Sequence, residues 1–397
     1  MPKERIGLMG GSFNPIHERH VEMAEAAARE QRLNRLIFLP TGNPPHKHEG
    51  LTDAEDRYEM TRLAVFGRET CSASREEIDR EGVIYTVDTL TRLEKQIPGA
   101  EWFYIIGEDT LLDLPNWRKV DKVFTLCEFV VCCRASTGLE SLPLTRQLRQ
   151  RGARLHFLSL PPRDISATEA RRKIAAGEAV PELAPQVMEY IRVMGLYNCP
   201  CAVTDGRQRY AKLKAALSDK RLVHSLLVAD TARRLALLHS YDPDTAELAG
   251  LLHDCAKCLP LGDMQRIARQ GRLLLDRLTL QSGNLLHGPA GAVLAKTEYG
   301  VTNPNILSAI RCHTTGKVGM MPLDMIVFLA DKIEPSRRPY PALETARELA
   351  RRDLAAATRF LMESSVKYVR SQGAEPHPAT LQAAEWLKRL EKKISPS

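Results

Sequence analysis

Two groups of residues in this 397-residue chain could do chemistry, and they lie far apart in sequence. The first is Gly10-Gly11-Ser12-Phe13-Asn14-Pro15-Ile16-His17-Glu18-Arg19-His20. Its histidines stand three apart, which puts them on one face of an opening helical turn. The glycines ahead of them leave backbone N–H groups open, and a helix start adds the positive end of its dipole, so the string suits phosphate. The second group is His224, the adjacent pair His253-Asp254, His287, His313 and Asp331. Imidazole plus carboxylate suits iron, manganese or zinc better than calcium. Each of these residues falls in or beside a helical run, and side chains from several helices can converge on a metal in a bundle core.

The elements that must position these groups differ between the two halves. Arg5-Ile6-Gly7-Leu8-Met9 is an apolar run of strand length, and Val21 to Ala28 is rich in strong helix formers. Leu36-Ile37-Phe38-Leu39-Pro40 reads as a second buried strand ending in the loop Thr41 to Lys47, and Asp53 to Phe66 has helical periodicity. Strand, helix, strand, helix at these lengths predict a parallel sheet with crossovers. Ligands of such sheets bind at the carboxyl ends of the strands. Lys47 would stand at that edge, within reach of phosphate as a mobile point charge. A strand over Trp102 to Gly107 brings Glu108-Asp109-Thr110 to the same edge, and further strands are expected at Phe129 to Arg134 and Leu155 to Leu158. After the last of these, Ser166 can cap a helix with Glu169 at the capping-box spacing, and Arg171 adds a fork of donors to that helix opening. From Tyr210 onward the pattern is helical almost throughout, with one amphipathic run over Leu222 to Leu238 and another over Ala246 to Leu252. The irregular stretch 198–209 reads as a linker between a first domain over 1–197 and a second over 210–397. The segment Thr380 to Ile394 reads as a charged amphipathic helix with a packing or partner role.

Composition narrows the class without choosing a substrate. The chain is 44% hydrophobic and 26% charged, as in globular proteins, and too long for one ordinary core. A net charge of +7, scattered through the sequence, fits small anionic substrates as well as nucleic acid. No aromatic-basic stripe supports nucleic-acid binding. No apolar run approaches ~18 residues, and Met1-Pro2-Lys3-Glu4 leads directly into the first strand, so neither a membrane span nor a signal peptide is expected. Nine cysteines, an odd number, read as the reduced thiols of a cytoplasmic protein. Cys199-Pro-Cys201 and Cys255-Ala-Lys-Cys258 each lack a second pair at zinc-site spacing.

The first string resembles the (T/H)xGH nucleotidyltransferase motif, most closely the GG(S/T)F(D/N)PxHxGH form of nicotinate-nucleotide adenylyltransferases, with Arg19 where that family has glycine. Further motifs follow in the family's order: the Pro-Pro-His-Lys loop ending at Lys47, Arg57-Tyr58-Glu59-Met60, Tyr85-Thr86-Val87-Asp88-Thr89-Leu90, Gly107-Glu108-Asp109, and Ile165-Ser166-Ala167-Thr168 with Arg171. The resemblance covers nearly all of 1–197. It implies an α/β Rossmann-like nucleotidyltransferase domain with a parallel sheet, in which His17, His20, Lys47 and Arg171 are catalytic and Gly10, Gly11, Ser12, Phe13, Gly107, Asp109, Ser166 and Thr168 bind magnesium-bound ATP or the second substrate. It also implies that Thr86 and Trp117 hold the pyridine ring and its carboxylate. The second group, in its order and with its neighbours, resembles the HD phosphohydrolase superfamily, in particular the YqeK-type symmetrical diadenosine tetraphosphate hydrolases. That likeness implies an all-α HD domain in which His224, His253, Asp254 and Asp331 hold a first metal, iron or alternatively manganese or another divalent ion. His287 and His313 hold a second metal or grip phosphate, and Arg221, Lys257 and Arg337 meet the phosphates.

Taken together, the resemblances imply a bifunctional cytoplasmic enzyme. One domain transfers adenylate from ATP to nicotinic acid mononucleotide, and the other splits diadenosine tetraphosphate into two ADP. Two alternatives stay open: an HD domain that senses a nucleotide without hydrolysing it, and an acceptor preference shifted to nicotinamide mononucleotide, for which Arg19, Glu108 and Asp113 are the departures that count. No nucleic-acid or membrane partner is expected, and a homo-oligomer is left open.

Overall fold

Strands such as Ile6 to Met9 and Leu36 to Leu39 carry apolar side chains on both faces, so they are stable only where both faces are covered. The computed structural model describes residues 3–42, 50–134, 138–161, 163, 165–200 and 203–394. Among these the chain divides into two units, one running to Met188 and taking in Leu196–Pro200, the other taking in Glu189–Gly195 and the remainder.

In the first unit the elements run β1 (Arg5–Gly11), α1 (Glu18–Glu30), β2 (Arg35–Pro40), α2 (Ala54–Val65), β3 (Cys71–Ala73), α3 (Thr86–Gln96), β4 (Glu101–Gly107) and α4 (Glu108–Asp113). They continue with α5 (Val120–Leu126), β5 (Glu128–Arg134), α6 (Pro143–Gln150), β6 (Leu155–Leu160) and α7 (Ala167–Ala175), while α8 (Pro185–Met194) begins in this unit and belongs to the second from Glu189 onward. The sheet has the order β3-β2-β1-β4-β5-β6 and every pairing is parallel. Leu8 lies opposite Ile37 on one side and Tyr104 on the other. Helices on both faces bury Ile6, Leu8, Leu39, Phe103 and Phe129 almost completely. Strand order reverses between β1 and β4, which opens a crevice at their carboxyl ends. The short β3 escaped the sequence reading because Cys71-Ser72-Ala73 carries no apolar run.

The second unit is helical, with no strand among its described residues. After the end of α8 it has α9 (Gly206–Ala216), which starts inside the stretch read as linker, and continues with α10 (Asp219–Leu238), α11 (Pro243–Leu252), α12 (Leu261–Gln270), α13 (Arg277–Gln281) and α14 (Gly283–Thr297). It closes with α15 (Pro304–Cys312), α16 (Pro322–Ile333), α17 (Leu343–Ala350), α18 (Leu354–Ser371) and α19 (Pro378–Ile394). Two glycines mark close helix crossings. A Cβ on Gly250 would lie 2.9 Å from Ala229 Cα, and one on Gly288 would lie 2.9 Å from the Arg311 carbonyl oxygen. A buried ionic cluster also holds this unit: Arg192 donates to Asp230 at 2.7 Å and Glu247 at 2.8 Å. Among the described residues no helix is long and apolar enough to cross a membrane.

Candidate active sites

In the first unit, β1 ends at Gly10-Gly11 and the chain turns through Phe13, at φ 45°, into α1 with His17 as its first cap. Gly10 has no room for a side chain, since a Cβ there would sit 2.1 Å from the Tyr104 hydroxyl oxygen. The turn is held by Arg57, which is buried and donates to the carbonyl oxygens of Ser12 (2.9 Å), Gly42 (3.1 Å) and Thr52 (2.9 Å). One guanidinium thus ties together the loops that follow β1 and β2. Asn14 accepts from the Tyr197 hydroxyl at 2.9 Å and donates to the Gly50 carbonyl at 3.0 Å.

His17 and His20 stack with ring centroids 3.8 Å apart. The His17 backbone N–H donates to His20 Nδ1 at 3.3 Å, which leaves Nε2 of His20 as the proton-bearing nitrogen. Burial lowers the His17 imidazole to about 4, and burial together with His17 holds His20 well below the usual histidine range. Both rings are therefore neutral at pH 7. Nδ1 of His17 is buried with no partner among the described residues. Arg19 makes a pair with Glu22 at 3.8 Å, one turn along α1.

Ser166 caps α7, its hydroxyl accepting from the Glu169 N–H at 3.1 Å, at the spacing read from the sequence. The Glu169 side chain pairs instead with Arg172. Arg171 donates to the Asn14 carbonyl at 2.7 Å and to the Thr168 hydroxyl at 3.3 Å, so the opening of α7 meets the turn after β1. Gly107 ends β4 and Asp109 sits in the first turn of α4. Asp113 accepts from Asn116 at 3.0 Å. Thr86 is the first residue of α3, and its side chain faces the Tyr104 hydroxyl. Trp117 is half-buried and meets the Tyr104 ring edge-on at 5.7 Å. Tyr104 is thus the residue that joins Gly10, Thr86 and Trp117, and the sequence reading gave it no role. Lys47 lies outside the described residues.

In the second unit the six expected ligands come from five places: His224 from α10, His253 and Asp254 from the end of α11, His287 from α14, His313 from the end of α15, and Asp331 from α16. They converge. His224 Nε2 lies 3.0 Å from Asp331 Oδ1, and His287 Nε2 lies 3.1 Å from Asp254 Oδ1. His253 Nε2 is 3.7 Å from Asp254 and 3.7 Å from Asp331. The Nε2 atoms of His287 and His313 are 3.0 Å apart. Two groups form around the shared Asp254, one with His224 and His253, the other with His287 and His313.

The far nitrogen of each imidazole is occupied. Nδ1 meets the Gly250 carbonyl in His253 (2.7 Å), the Ile310 carbonyl in His313 (2.8 Å) and the Gly283 carbonyl in His287 (3.2 Å). In His224 it meets the buried Glu334 carboxylate at 3.1 Å. A proton held on Nδ1 leaves each Nε2 lone pair facing the centre, the arrangement of metal-binding histidines. The Nε2 of His253 is buried without a hydrogen-bond partner, as a ligand nitrogen would be. Burial pushes the Asp254 carboxyl up, but the imidazoles of His253, His287 and His313 outweigh it and hold it well below the usual carboxylate range. Asp331 is held low against its burial by Lys332, His224 and His253. Arg221 donates to Asp254 at 3.1 Å, Arg337 pairs with Asp331, and Lys257 Nζ is 3.3 Å from His287 Nδ1. Glu334 and Thr314, whose hydroxyl is 3.2 Å from His313 Nε2, were given no role by the sequence reading. The described cysteines join neither metal group.

Comparison with known proteins matches residues 8–173 to the cytidylyltransferase-like family and residues 221–336 to the HD domain. A protein of Mycoplasma genitalium named "Probable nicotinate-nucleotide adenylyltransferase/Ap4A hydrolase" is 30% identical over 340 residues, 85% of this chain and 89% of that one. A protein of the same name from Mycoplasma pneumoniae is 28% identical over 92% of this chain and 98% of its own length. A "Probable nicotinate-nucleotide adenylyltransferase" of Moorella thermoacetica is 41% identical over 49% of this chain and 92% of its own length.

Proposed function

The chain belongs to the family of fused nicotinate-nucleotide adenylyltransferase/Ap4A hydrolases, and from that premise we propose two activities on one cytoplasmic polypeptide. The first, in residues 1–197, is adenylyl transfer from magnesium-bound ATP to nicotinic acid mononucleotide, giving nicotinic acid adenine dinucleotide and pyrophosphate. The nucleophile is a phosphate and already an anion, so the protein has no proton to remove. Its contribution is to align the two phosphates in line and to stabilise charge. His17 and His20 act as neutral imidazoles that donate N–H groups to the triphosphate. Arg171, Lys47 and the helix openings of α1 and α7 add positive potential. The Trp117 face takes the pyridine ring, while Thr86 and the N–H groups opening α3 answer its carboxylate.

The second activity, in residues 210–397, is hydrolysis of diadenosine tetraphosphate to two ADP. The donor set fits a divalent ion, iron or manganese. His224, His253, Asp254 and Asp331 would hold one ion, and Asp254 with His287 and His313 a second. When bound, such ions supply Lewis acidity toward a phosphoryl oxygen and make water nucleophilic at neutral pH. Arg221, Lys257 and Arg337 present charge to the polyphosphate, and Thr314 donates from the rim of the same centre. The observation that carries this reading is the buried Nε2 of His253, unpartnered and flanked by two carboxylates.

The test is to incubate the protein with diadenosine tetraphosphate and iron or manganese, beside the variants His253→Ala and Asp254→Ala. Two ADP from the wild type and none from the variants, with adenylyl transfer kept in all three, is the expected outcome. Absence of turnover with any metal, despite bound metal and intact adenylyl transfer, would overturn the hydrolytic reading and leave a nucleotide-sensing centre.

A further inference from the structure

The helices that carry His287 and His313 each have a second face. At about 100° per residue, Leu285, Pro289, Val293 and Lys296 point away from His287 on α14, and Leu307 and Arg311 point away from His313 on α15. These residues line a groove of about 1300 Å3, bounded also by the end of α12 and the segment 271–276. None of the metal-centre residues lines it, so groove and centre lie back to back across the same two helices.

The groove has the make-up of a ligand site. Its walls include Leu285, Val293 and Leu307, partly exposed along helices whose other faces are packed. Its cations are Arg266, Arg272, Lys296, Arg311 and Lys317, against the acids Asp276 and Glu298. Arg266 and Lys317 already have carboxylate partners in Asp263 and Asp324. Arg272, Lys296 and Arg311 are exposed and have no ion-pair partner among the described residues. Apolar surface beside unpaired guanidinium and ammonium groups recognises a molecule that is flat and apolar in one part and phosphorylated in another. The volume exceeds the roughly 300–1,000 Å3 of an ordinary small-molecule pocket, which favours a ligand with two ring systems over a single phosphate or mononucleotide.

We propose that this groove is a second nucleotide site, which takes a dinucleotide anion with its rings on the leucine and valine walls and its phosphates at Arg272, Lys296 and Arg311. Because α14 carries His287 and α15 leads into His313, an occupant contacts both helices that set the 3.0 Å approach of those two rings. The site does not depend on whether the metal centre hydrolyses anything.

The probe is 2-azido-NAD, photocrosslinked to the full-length protein, with labelled peptides located by mass spectrometry. Label on residues 271–276 and 289–311, which exclude His287 and His313, reduced at least tenfold by Lys296→Glu with Arg311→Glu, is the expected result. Labelling of peptides containing His17 or His253 stays unchanged in that variant. The milder pair Arg272→Ala and Arg311→Ala repeats the test if charge reversal lowers the melting temperature. Label confined to the other sites, or label in the groove that survives both variants, overturns the proposal. Loss of groove labelling to an acidic helical peptide but not to excess NAD overturns it in favour of a protein partner.

Discussion

Glu334 holds Nδ1 of His224 while its own oxygens accept from the backbone N–H and hydroxyl of Ser336, so its position is fixed independently of any metal. A carboxylate in that place orients the imidazole and raises its basicity. Glu334→Ala is expected to weaken metal binding about 10- to 100-fold, and Glu334→Gln, which keeps a hydrogen bond without the charge, less. Competition with a chelator of known affinity measures this, and equal affinity in all three proteins would refute it. In the other unit, His17 carries a pH signature. Burial lowers its folded value to about 4, helped by Arg19 and opposed by Glu182, and its ring lies against that of His20. The unfolded chain takes up a proton near the ordinary value of 6.5 while the folded chain does not. Stability is therefore full above pH 6.5 and falls as pH drops toward 4, by up to about 3 kcal/mol from this group. His17→Asn should shrink the difference in urea midpoint between pH 7 and pH 5 for the first unit's transition, and an unchanged difference would rule out this account.

The helix crossings decide whether ligands from five segments meet. Gly288 follows His287 directly, and a Cβ there would meet the backbone carbonyls of Arg311 and Ile310 just before His313, so α14 and α15 cross closely. A methyl group there forces the helices apart, at about 1–3 kcal/mol. Gly288→Ala is expected to lower the second unit's thermal midpoint and to weaken metal binding through His287 and His313, with adenylyl transfer unaltered; metal content after dialysis reads the effect. The crossing also marks what could be read in advance. His17, His20, Ser166 and the order of strands and helices were legible because local spacing sets them: three residues for a helical turn, three for a capping box, five or six apolar residues for a buried strand. That four histidines and two aspartates of the second unit would gather was legible by type and order. The contacts that complete each site were not. Glu334 is 110 residues from His224, and the clash that requires glycine at position 10 comes from Tyr104 on β4, a strand adjacent in the sheet but far along the chain. Such pairings depend on sheet order and helix packing, which no short window of sequence contains.

Two units with separate cores should respond separately to removal of metal. The candidate metal centre gathers four imidazoles and two carboxylates, yet Arg221, Lys332 and Arg337 already neutralise Asp254 and Asp331. A helical core that buries Leu226, Leu251, Ile326 and Leu329 does not rest on the metal either. The second unit is therefore unlike a small zinc domain, which unfolds without its ion. Chelation is expected to destabilise it only by the binding free energy, about 4 kcal/mol at a metal concentration a thousand times Kd. For a unit of this size that corresponds to a shift of roughly 10 °C in midpoint. On the proposed function magnesium would reach the first unit only with its nucleotide, so its transition should stay in place, and adenylyl transfer should return when magnesium alone is restored. Scanning calorimetry with and without chelator separates the outcomes. A shift confined to one transition supports independent units with one resident metal centre. A loss of both transitions would mean that the metal holds the whole chain together, and no shift at all would mean that the six ligands bind no metal in solution.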